Sequence, residues 1–486
     1  MRCGMLQKSI AIWGLAFALA LPSIAAPVPK PDKIDSKTIA AFEELGGVYG
    51  ILILDTSRDG IEYMRFLKFD ENRAPGGLPA FRFKDLPDAE FPEVKISFGL
   101  DLSETHLRAE TLQTLKNSKT LVYLHLGGNF DDQSLRGIEG LKSLKGLNLS
   151  CTRITDEGLK LLCGLQGLES LDISTTWTTD SGLRTIGTLK NLRTLYAART
   201  KITDVGLKWL IEPMRLESLE VEGEKITDAG LKSIGQMKSL VTLSLHGTKI
   251  TDDGMKDLTG AENLASLNIR ETKVTGAGLK KLTELKHLTR ILLPSSACND
   301  RGMGYLQRCE KLHSRVGDGR TARPEGMAGF KGHPSLSVLV IGGPGITDDS
   351  LIEIQKIKGL THLDLTGSSV TDAGASHLNS IRLLSVLKLK GTAWTDAGTE
   401  GLKNSNRLQC LDLFNTRVTD KSMVHLKDFT SLERLYLEDT SVSDTGLKHL
   451  MRLTRLRRLD IGGTKVSDTS RSALKAALPK CDLYRD

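Results

Sequence analysis

The sequence lacks the short motifs that mark the common classes of enzyme site. It contains no glycine-rich nucleotide loop, no H-E-x-x-H, no G-x-S-x-G and no C-x-x-C. Its ten histidines are scattered and share no pattern with carboxylates. The sequence therefore predicts no catalytic residue, no metal site and no cofactor.

Concentrated charge is missing as well. Lys and Arg number 66 against 59 Asp and Glu, so the formal net charge is +7, which is modest for 486 residues. No run of Lys and Arg concentrates that charge in one segment. We therefore expect no nucleic-acid partner.

Long apolar runs are confined to the start of the chain. An apolar stretch at residues 10–21 follows the basic Arg2 and Lys8 and precedes the small-x-small segment Ser23-Ile24-Ala25. Residues 1–26 are therefore predicted to be a signal peptide cleaved after Ala25, with an uncleaved anchor as the alternative. No later segment is apolar enough to span a membrane. We expect an exported protein, located in the periplasm, on the cell surface or in the medium.

A repeat with a period of 24 fills most of the remaining sequence. It reads L-x-x-L-x-L-x-x-T-x-I-T-D-x-G-L-x-x-L-x-x-L between Leu144 and Leu165. The phase holds from Leu147 to Leu459, and this distance of 312 residues is thirteen steps of 24. Self-similarity at a fixed period of this size predicts a solenoid, in which each unit stacks on its neighbours.

Each repeat predicts a strand, a turn and a short helix. Leu147 and Leu149 alternate with other residues, which is typical of a strand, and Leu159 and Leu162 recur at helical spacing. Asp occupies the expected helix start in twelve of fourteen in-phase repeats, where it suits the helix macrodipole. Stacked aspartates also leave a calcium site as a weaker alternative, because a calcium loop needs several oxygen ligands in one turn.

The position three residues after the strand is Thr in nine of the fourteen repeats and Ser in two. We expect these hydroxyl groups to form a ladder of hydrogen bonds to the turning backbone, as Ser and Thr do in turns; tolerated surface threonines are the alternative. In the same register Cys298 and Cys309 fall on interior positions of one repeat. Export permits disulfides, but the six cysteines after residue 26 form no clustered framework, so buried free thiols are predicted, with Cys298–Cys309 the one pair to test.

These residues resemble the leucine-rich repeat family, close to the I-T-D-x-G-L type of ribonuclease-inhibitor-like and F-box-associated repeats. The resemblance covers roughly residues 97–484, and this chain carries Thr where that type often has Asn or Cys. It implies an α/β solenoid at 97–486, with a curved parallel sheet on the concave face, short helices on the convex face and a terminal half-repeat at 478–486. It also implies a binding surface rather than an enzyme.

The N-terminal segment departs from the repeat. Residues 27–96 are predicted to form a proline-containing linker and a small α+β cap, with a helix opening at Ser36 and strands at 48–55 and 61–70. The segment 71–95 contains several prolines and is predicted to be rich in loops. Such a cap would cover the unpaired edge of the first repeat strand. An independent ligand-binding or catalytic domain is the alternative.

One unit, residues 312–335, is irregular. Its strand positions hold Arg315 and Gly317, and Pro324 stands where other repeats have Asp. Because burying an unpaired charge is expensive, we expect a distorted strand with Val316 turned inward or Arg315 at the surface. Decay of the repeat and a functional irregularity both remain possible explanations.

The strand positions that point away from the leucines supply the candidate binding residues. Leu292, Val338 and Val340 are predicted to form an exposed apolar strip, and a patch further along mixes aromatic and basic groups, which are enriched at binding hot spots. An unremarkable repeat surface is the alternative. The full set is Tyr196, His246, Arg270, Leu292, Val338, Val340, Lys388, Lys390, Phe414, Arg434 and Tyr436.

Together these features predict an exported, non-enzymatic scaffold that recognises a protein on its concave sheet, with a glycan as a less favoured partner. We expect a monomer without a membrane span after signal removal. Two alternatives follow from the same observations. One is a substrate-recruiting subunit resembling F-box-associated repeats, and the other is an enzyme with its site in the N-terminal cap.

Overall fold

A computed structural model describes residues 34–56, 62–68, 77–85, 91–105, 111–115, 118–211, 215–317 and 324–484. The predicted signal peptide and most of the linker lie outside these residues. The chain divides into two compact units, each described by itself. The first unit comprises Met1–Ile250 with Gly260–Asn268, and the second comprises Thr251–Thr259 with Ile269–Asp486.

The first unit begins with a helix and a hairpin, as predicted. Helix α1, Ser36–Glu44, starts after Asp35, whose carboxylate accepts the backbone N–H of Thr38 at 2.9 Å. Strands β1, Val48–Thr56, and β2, Glu62–Lys68, pair antiparallel. The predicted turn between them lies outside the described residues.

A third strand, β3, occupies Leu78–Arg82 in the segment that was predicted to be rich in loops. That prediction is wrong at these residues. Ala80 and Phe81 are fully buried, and the gain from packing outweighs the proline at position 79. β3 pairs antiparallel with β1 and parallel with β4, Phe98–Leu102, which is the first repeat strand.

Aromatic side chains hold this segment against the first repeat. The rings of Phe42 and Phe81 stack with centroids 3.9 Å apart. Phe98, on β4, meets both rings edge-on at 6.2 and 6.4 Å. Helix α1, strand β3 and the first repeat strand therefore share one aromatic cluster, a geometry that adds to the stabilisation from burial.

The repeat strands of the first unit pair parallel and in register, so that Leu147 lies beside Leu171 and Leu195 beside Leu219. The repeat period therefore places equivalent leucines next to each other, and the predicted strand register is confirmed. After β4 the strands are β5 Leu121–Leu126, β6 Gly146–Asn148, β7 Ser170–Asp172, β8 Thr194–Ala198, β9 Ser218–Glu222, β10 Thr242–Ser244 and β11 Ser266–Asn268.

The second unit repeats the arrangement. Its strands also pair parallel and in register, with Leu339 beside Leu363 and Leu459 beside Leu483. The strands are β12 Arg290–Leu292, β13 Ser314–Val316, β14 Val338–Val340, β15 His362–Asp364, β16 Val386–Lys388, β17 Cys410–Asp412, β18 Arg434–Tyr436, β19 Arg458–Asp460 and β20 Asp482–Tyr484.

Short helices follow most strands, and many begin where the sequence predicts. Thr155 precedes one such helix, and its side chain accepts the backbone N–H of Glu157. The α-helices after α1 are α2 Asp156–Lys160, α3 Asp180–Ile186, α4 Asp228–Ile234, α5 Met255–Leu258, α6 Leu279–Leu282, α7 Asp300–Leu306, α8 Pro324–Met327, α9 Asp348–Ile354, α10 Ala375–Asn379, α11 Asp396–Gly401, α12 Asp420–Leu426, α13 Asp444–Leu447 and α14 Asp468–Ala477. The 3-10 turns are Thr111–Leu115, Ile138–Gly140, Leu161–Gly164, Gly206–Leu210, Ser295–Ala297, Ala328–Phe330, Asp372–Gly374 and Lys448–Arg452.

The predicted ladder of hydroxyl groups is confirmed for the threonines but not for the two serines, because Ser296 donates to the Val274 carbonyl and the buried Ser368 hydroxyl has no hydrogen-bond partner. The Thr152 hydroxyl donates to the carbonyl of Leu149, three residues earlier, at 2.6 Å. Each such bond satisfies a strand carbonyl where the chain leaves the sheet. The same bond is made to the residue three positions earlier by Thr105, Thr176, Thr200, Thr248, Thr272, Thr392, Thr416, Thr440 and Thr464.

The irregular unit corrects a prediction. Strand β13 is not distorted, because it pairs in register with both β12 and β14. These backbone bonds fix the direction of Arg315, whose side chain is fully buried rather than at the surface. Its Nη1 donates to the Val340 carbonyl at 3.4 Å, and its Nε and Nη2 have no hydrogen-bond partner.

The structure also bears on the predicted cysteine pair and on the expected absence of a later membrane span. Cys298 and Cys309 are both buried, and they are not joined by a disulfide. In the part of the chain that the structure describes, no helix has the length and apolar character needed to cross a membrane.

Candidate binding surface

Strand side chains that point away from the leucines form what we call the sheet face of each unit. Seven of the eleven predicted site residues lie on strands, and four lie two residues past the end of a strand, namely His246, Arg270, Lys390 and Phe414. The structure does not bring all of them together. Tyr196 and His246 belong to the first unit, and the remaining nine belong to the second.

Two of the predicted residues are not available as contact residues. Tyr196 is only 8% exposed, because Asp172 and Glu220 flank it in register on the neighbouring strands. Leu292 is fully buried, as are Ile291 and Leu293. Both faces of that strand are therefore covered, which alternation along one strand cannot reveal.

The predicted exposed apolar strip is correspondingly reduced. Val338 and Val340 are half-buried and flank the buried Leu339. Without Leu292 they form a small apolar area on β14 instead of a strip across neighbouring strands. A patch of this size is normal on a protein surface and does not by itself mark an interaction site.

The mixed aromatic and basic residues do lie together. We call Lys388, Lys390, Phe414, Arg434 and Tyr436 the C-terminal face patch. Lys388 and Tyr436 flank Asp412 in register, and the Lys390 ammonium lies 3.9 Å from the centre of the Phe414 ring. The patch is therefore one continuous surface over three adjacent strands.

Ion pairs hold parts of this patch in place. Lys388 Nζ lies 3.2 Å from Asp364 Oδ2, and both side chains are less than a fifth exposed, at 15% and 17%. The Arg458 guanidinium lies over the rings of Tyr436, at 5.5 Å, and Tyr484, at 4.1 Å. Cations stacked on aromatic rings and a half-buried ion pair restrict the side chains to defined positions before any partner binds.

The structure adds an acidic group that the sequence analysis did not select. Burial, followed by the charge of Asp460 and a hydrogen bond with Asp460, raises the pKa of Glu438 to about 7. Burial also raises the pKa of Asp412. Asp412, Glu438 and Asp460 lie at strand positions that face away from the leucines, or just beyond such positions. The repeat period could therefore have identified these three residues if acidic side chains had been included.

A second polar cluster lies where the N-terminal segment meets the repeats. Asp101 accepts hydrogen bonds from Arg82 Nε at 2.8 Å and Nη2 at 2.6 Å, and His125 Nδ1 lies 3.3 Å away. Burial would raise the pKa of Asp101, but the hydrogen bond and charge of His125 and the charge of Arg82 hold it well below its ordinary value. The cluster joins β3, β4 and β5.

His246 and Arg270 are half-buried, and neither belongs to the C-terminal face patch. His246 Nδ1 lies 3.7 Å from Glu222 Oε1. The Arg199 Nε atom lies 3.2 Å from the same oxygen. His246 is therefore part of a small ionic group in the first unit. Arg270 stays a predicted contact residue.

The repeated aspartates are occupied by contacts between repeats, which the sequence analysis did not foresee. Asp156 Oδ1 accepts the backbone N–H of Thr179 at 2.8 Å, and Oδ2 accepts its hydroxyl at 2.5 Å. We call this pair of bonds the aspartate clamp. It recurs at Asp132–Thr155, Asp180–Thr203, Asp204–Thr227, Asp252–Thr275, Asp348–Thr371, Asp372–Thr395, Asp396–Thr419 and Asp420–Ser443.

The clamp changes the interpretation of the calcium alternative. Both oxygens of each clamp carboxylate are used by the next repeat, so the row of aspartates is not a row of free ligands. Within the described ranges, no three His, Cys, Asp or Glu side chains lie where they could hold a metal ion. The aspartates therefore connect repeats to each other.

A family profile described as "Leucine Rich repeat" matches residues 140–163 and 360–378. Among curated protein sequences, none matches the chain.

Three solved structures are similar at low sequence identity. An internalin from Listeria monocytogenes is 19% identical, with 77% of this chain and 93% of that chain covered and a TM-score of 0.36. A leucine-rich repeat protein from Leptospira interrogans is 20% identical, with 80% and 95% covered and a TM-score of 0.45. The ectodomain of an Arabidopsis thaliana membrane receptor kinase, in complex with Casparian strip integrity factor 2, is 17% identical, with 83% and 50% covered and a TM-score of 0.42.

Each profile match covers one strand–turn–helix unit of the kind described above, one on β6 and α2 and the other on β15 and α10. The strands of both units pair in the register that the repeat period requires. The two matched units are similar to leucine-rich repeats, and the parallel strands and short helices of each unit are consistent with the fold of a leucine-rich repeat solenoid.

Proposed function

We propose that the protein is an exported, non-enzymatic scaffold that binds a protein partner through its sheet face, with the C-terminal face patch as the contact site. The observation that carries this proposal is the stacking of Lys390 on Phe414 at 3.9 Å, next to Arg434 and Tyr436 on the adjacent strand. Aromatic and arginine side chains dominate the binding energy of protein interfaces. The export part of the proposal depends on the predicted signal peptide at residues 1–26.

Rigidity supports the choice of this patch. The strands β16, β17 and β18 are hydrogen-bonded in register, and buried leucines fix each strand from behind. Side chains that are already held in place lose less conformational entropy on binding. Leucine-rich repeat scaffolds are typically used for protein–protein interaction, which is consistent with a surface of this kind.

The two alternatives have less support. The proposed substrate-recruiting role depends on resemblance to F-box-associated repeats, and the described residues add nothing specific to it. In the N-terminal segment, Asp101, Arg82 and His125 are bonded to each other across three strands. That arrangement explains those residues without an enzymatic role.

Affinity capture with the chain beginning at Ala26, followed by quantitative binding, tests the proposal. The candidate partner from the exported fraction is titrated against the parent chain and a Phe414→Ala/Tyr436→Ala variant. We expect at least about tenfold weaker binding, equivalent to about 1.4 kcal/mol. A Val424→Ala variant, at an apolar position 39% exposed on helix α12, is the matched control and should bind within about twofold.

Equal binding by the parent chain and the double variant would contradict the site. Binding that weakens equally in the Val424→Ala control would indicate that truncation itself, rather than this patch, causes the loss. Thermal unfolding of each variant, followed by circular dichroism, shows whether the repeats remain folded.

A further inference from the structure

A row of cations with one tryptophan runs along one edge of the first unit. Its members occupy the position directly after the ladder position, which is Thr in four of these five repeats and Glu224 in the other. We call Arg153, Trp177, Lys201, Lys225 and Lys249 the edge row. Five consecutive repeats contribute one residue each, so the row is linear and follows the stacking direction.

Backbone hydrogen bonds set the spacing of the edge row. Trp177 N donates to the Ile154 carbonyl of the preceding repeat at 3.0 Å, and Lys201 N donates to the Thr178 carbonyl at 2.9 Å. Lys249 N donates to the Ile226 carbonyl at 2.9 Å in the same way. Where these bonds form, neighbouring members of the row lie close to the strand spacing of about 4.8 Å. Five members then span about 19 Å.

The side chains of the row face solvent. Trp177 is 58% exposed, which makes it one of the two most exposed tryptophans among the described residues. The Lys201 ammonium lies 5.6 Å from the centre of its ring. Arg153, Lys201 and Lys225 are exposed. Trp177 stands at the position that carries a cation in the other four repeats of the row, and more than half of its surface is open to a ligand.

Acidic side chains neutralise only part of this charge. Lys249 Nζ lies 3.0 Å from Glu224 Oε1, and the Glu224 side chain is 80% exposed. Four cations and this neighbouring carboxylate leave the row positive. Consecutive members of the row lie one full repeat apart in the sequence. They therefore form no run of Lys and Arg, and the sequence shows no concentrated charge.

We infer that the edge row binds a linear acidic polysaccharide, with about one sugar unit opposite each repeat. The carboxylate or sulfate groups of the sugar would pair with Arg153, Lys201 and Lys225. The apolar C–H face of a ring would pack on Trp177. A pyranose unit advances a linear chain by about the strand spacing, so that about one sugar unit lies opposite each repeat. The inference is independent of the C-terminal face patch.

Other polyanions fit the spacing less well. An extended acidic peptide presents same-face side chains about every 6.6 Å, which is twice the rise of about 3.3 Å per residue, and it loses register with the row after a few repeats. Duplex nucleic acid carries a phosphate about every 3.4 Å along each strand, which is also out of step. An exposed indole between cations suits the apolar face of a sugar ring, and this feature decides in favour of the polysaccharide.

The test measures binding of the chain beginning at Ala26 to polygalacturonate and to heparin by isothermal titration at physiological ionic strength. The variants are a triple substitution, Arg153→Gln/Lys201→Gln/Lys225→Gln, and the single substitution Trp177→Ala. We expect both polysaccharides to bind, the triple variant to bind at least about tenfold more weakly, and Trp177→Ala to bind about threefold to tenfold more weakly. Neutral dextran should not bind.

The matched control changes the same number of charges elsewhere in the unit. Lys190, Lys208 and Lys232 are exposed, and their triple substitution by Gln should leave affinity within about twofold. No binding of either polysaccharide, or equal loss in the control and row variants, would overturn the inference. Tighter binding of a single-stranded oligothymidine or of poly-aspartate, with the same dependence on the row, would overturn it in favour of nucleic acid or of an acidic protein segment.

Discussion

Gly182 lies so close to Asp156 of the preceding repeat that an added Cβ would be 2.5 Å from the carboxylate oxygen Oδ1. The glycine of the I-T-D-x-G-L pattern is therefore explained by the aspartate clamp rather than by an unusual backbone angle. Gly158, Gly206 and Gly230 show the same approach, at 2.3 to 2.5 Å from the Asp of the repeat before. Where Ser422 replaces this glycine, its hydroxyl donates to Asp396.

Gly182→Ala should destabilise the protein. The new methyl group would also lie 2.6 Å from Thr178 Cγ2 and 2.8 Å from Leu159 Cδ1, so the neighbours must shift at a cost of about 1–3 kcal/mol. Gly304→Ala is the matched control in helix α7, because an added Cβ there meets nothing within 4 Å. It should stabilise by about 0.5–1 kcal/mol through helix propensity. Urea unfolding measures both, and a loss of stability no larger for Gly182→Ala than for Gly304→Ala would contradict the close approach.

Asp180→Ala removes one clamp. Both oxygens of Asp180 accept a hydrogen bond from Thr203 at 2.7 Å, so we expect a loss of about 1–3 kcal/mol in the free energy of unfolding. Asp253→Ala, at an exposed position in the first turn of another repeat, should cost about 0.5 kcal/mol or less. Equal losses in the two variants would mean that the aspartates act only through the helix macrodipole, which contributes about 0.3–1 kcal/mol.

Arg315→Leu should stabilise the second unit. Arg315 occupies a position where the flanking strands carry the buried Ile291 and Leu339. Two of its guanidinium nitrogens have no hydrogen-bond partner. Replacing a buried charged group by a hydrophobic one of similar volume gains about 1–4 kcal/mol.

Thermal unfolding measures the effect of Arg315→Leu, with Arg308→Leu at an exposed position as the control. The control should change stability by less than about 0.5 kcal/mol. A lower melting temperature for Arg315→Leu would contradict the expectation and would show that the guanidinium is needed where it is.

Glu438→Gln should remove a pH dependence of stability. The pKa of Glu438 is raised from 4.5 to about 7 in the folded chain, first by burial and then by Asp460. The unfolded chain loses this proton at lower pH than the folded chain, so the contribution of Glu438 to stability declines as the pH rises from about 4.5 to about 7. The neutral Gln does not titrate.

The measurement is the melting temperature between about pH 5 and about pH 8 at constant ionic strength. Relative to the parent chain, Glu438→Gln should gain stability across this range, whereas Glu433→Gln, at an exposed position, should not. Parallel curves for the parent chain and the Glu438→Gln variant would contradict the raised pKa.

The sequence correctly predicted the features that depend only on one side chain and the repeat to which it belongs. Alternation at Leu147 and Leu149 predicts which side chains are buried, and the Thr152 hydroxyl reaches only three residues back. Both predictions are confirmed, because the physical cause lies within the pattern itself. The helix starts are confirmed for the same reason, since Thr155 caps a helix that begins at the next residue.

Features whose cause lies in a neighbouring repeat were not predicted correctly from the sequence. Tyr196 is covered by side chains on adjacent strands, and Arg315 is turned inward by backbone bonds to β12 and β14. The clamp and the edge row both join residues that belong to different repeats. Position in one repeat predicts the direction of a side chain, but the side chains placed over it become known only when the repeats are stacked.

The aspartate clamp has a consequence for how such a chain can change in length. Each clamp takes its acid from one repeat and its hydroxyl from the next, always at the same separation in the sequence. Duplicating or deleting any whole repeat between two regular repeats therefore regenerates a complete junction at the splice. An insertion or deletion of one whole repeat needs no compensating substitution. An insertion or deletion that is one codon too long or too short breaks the junction.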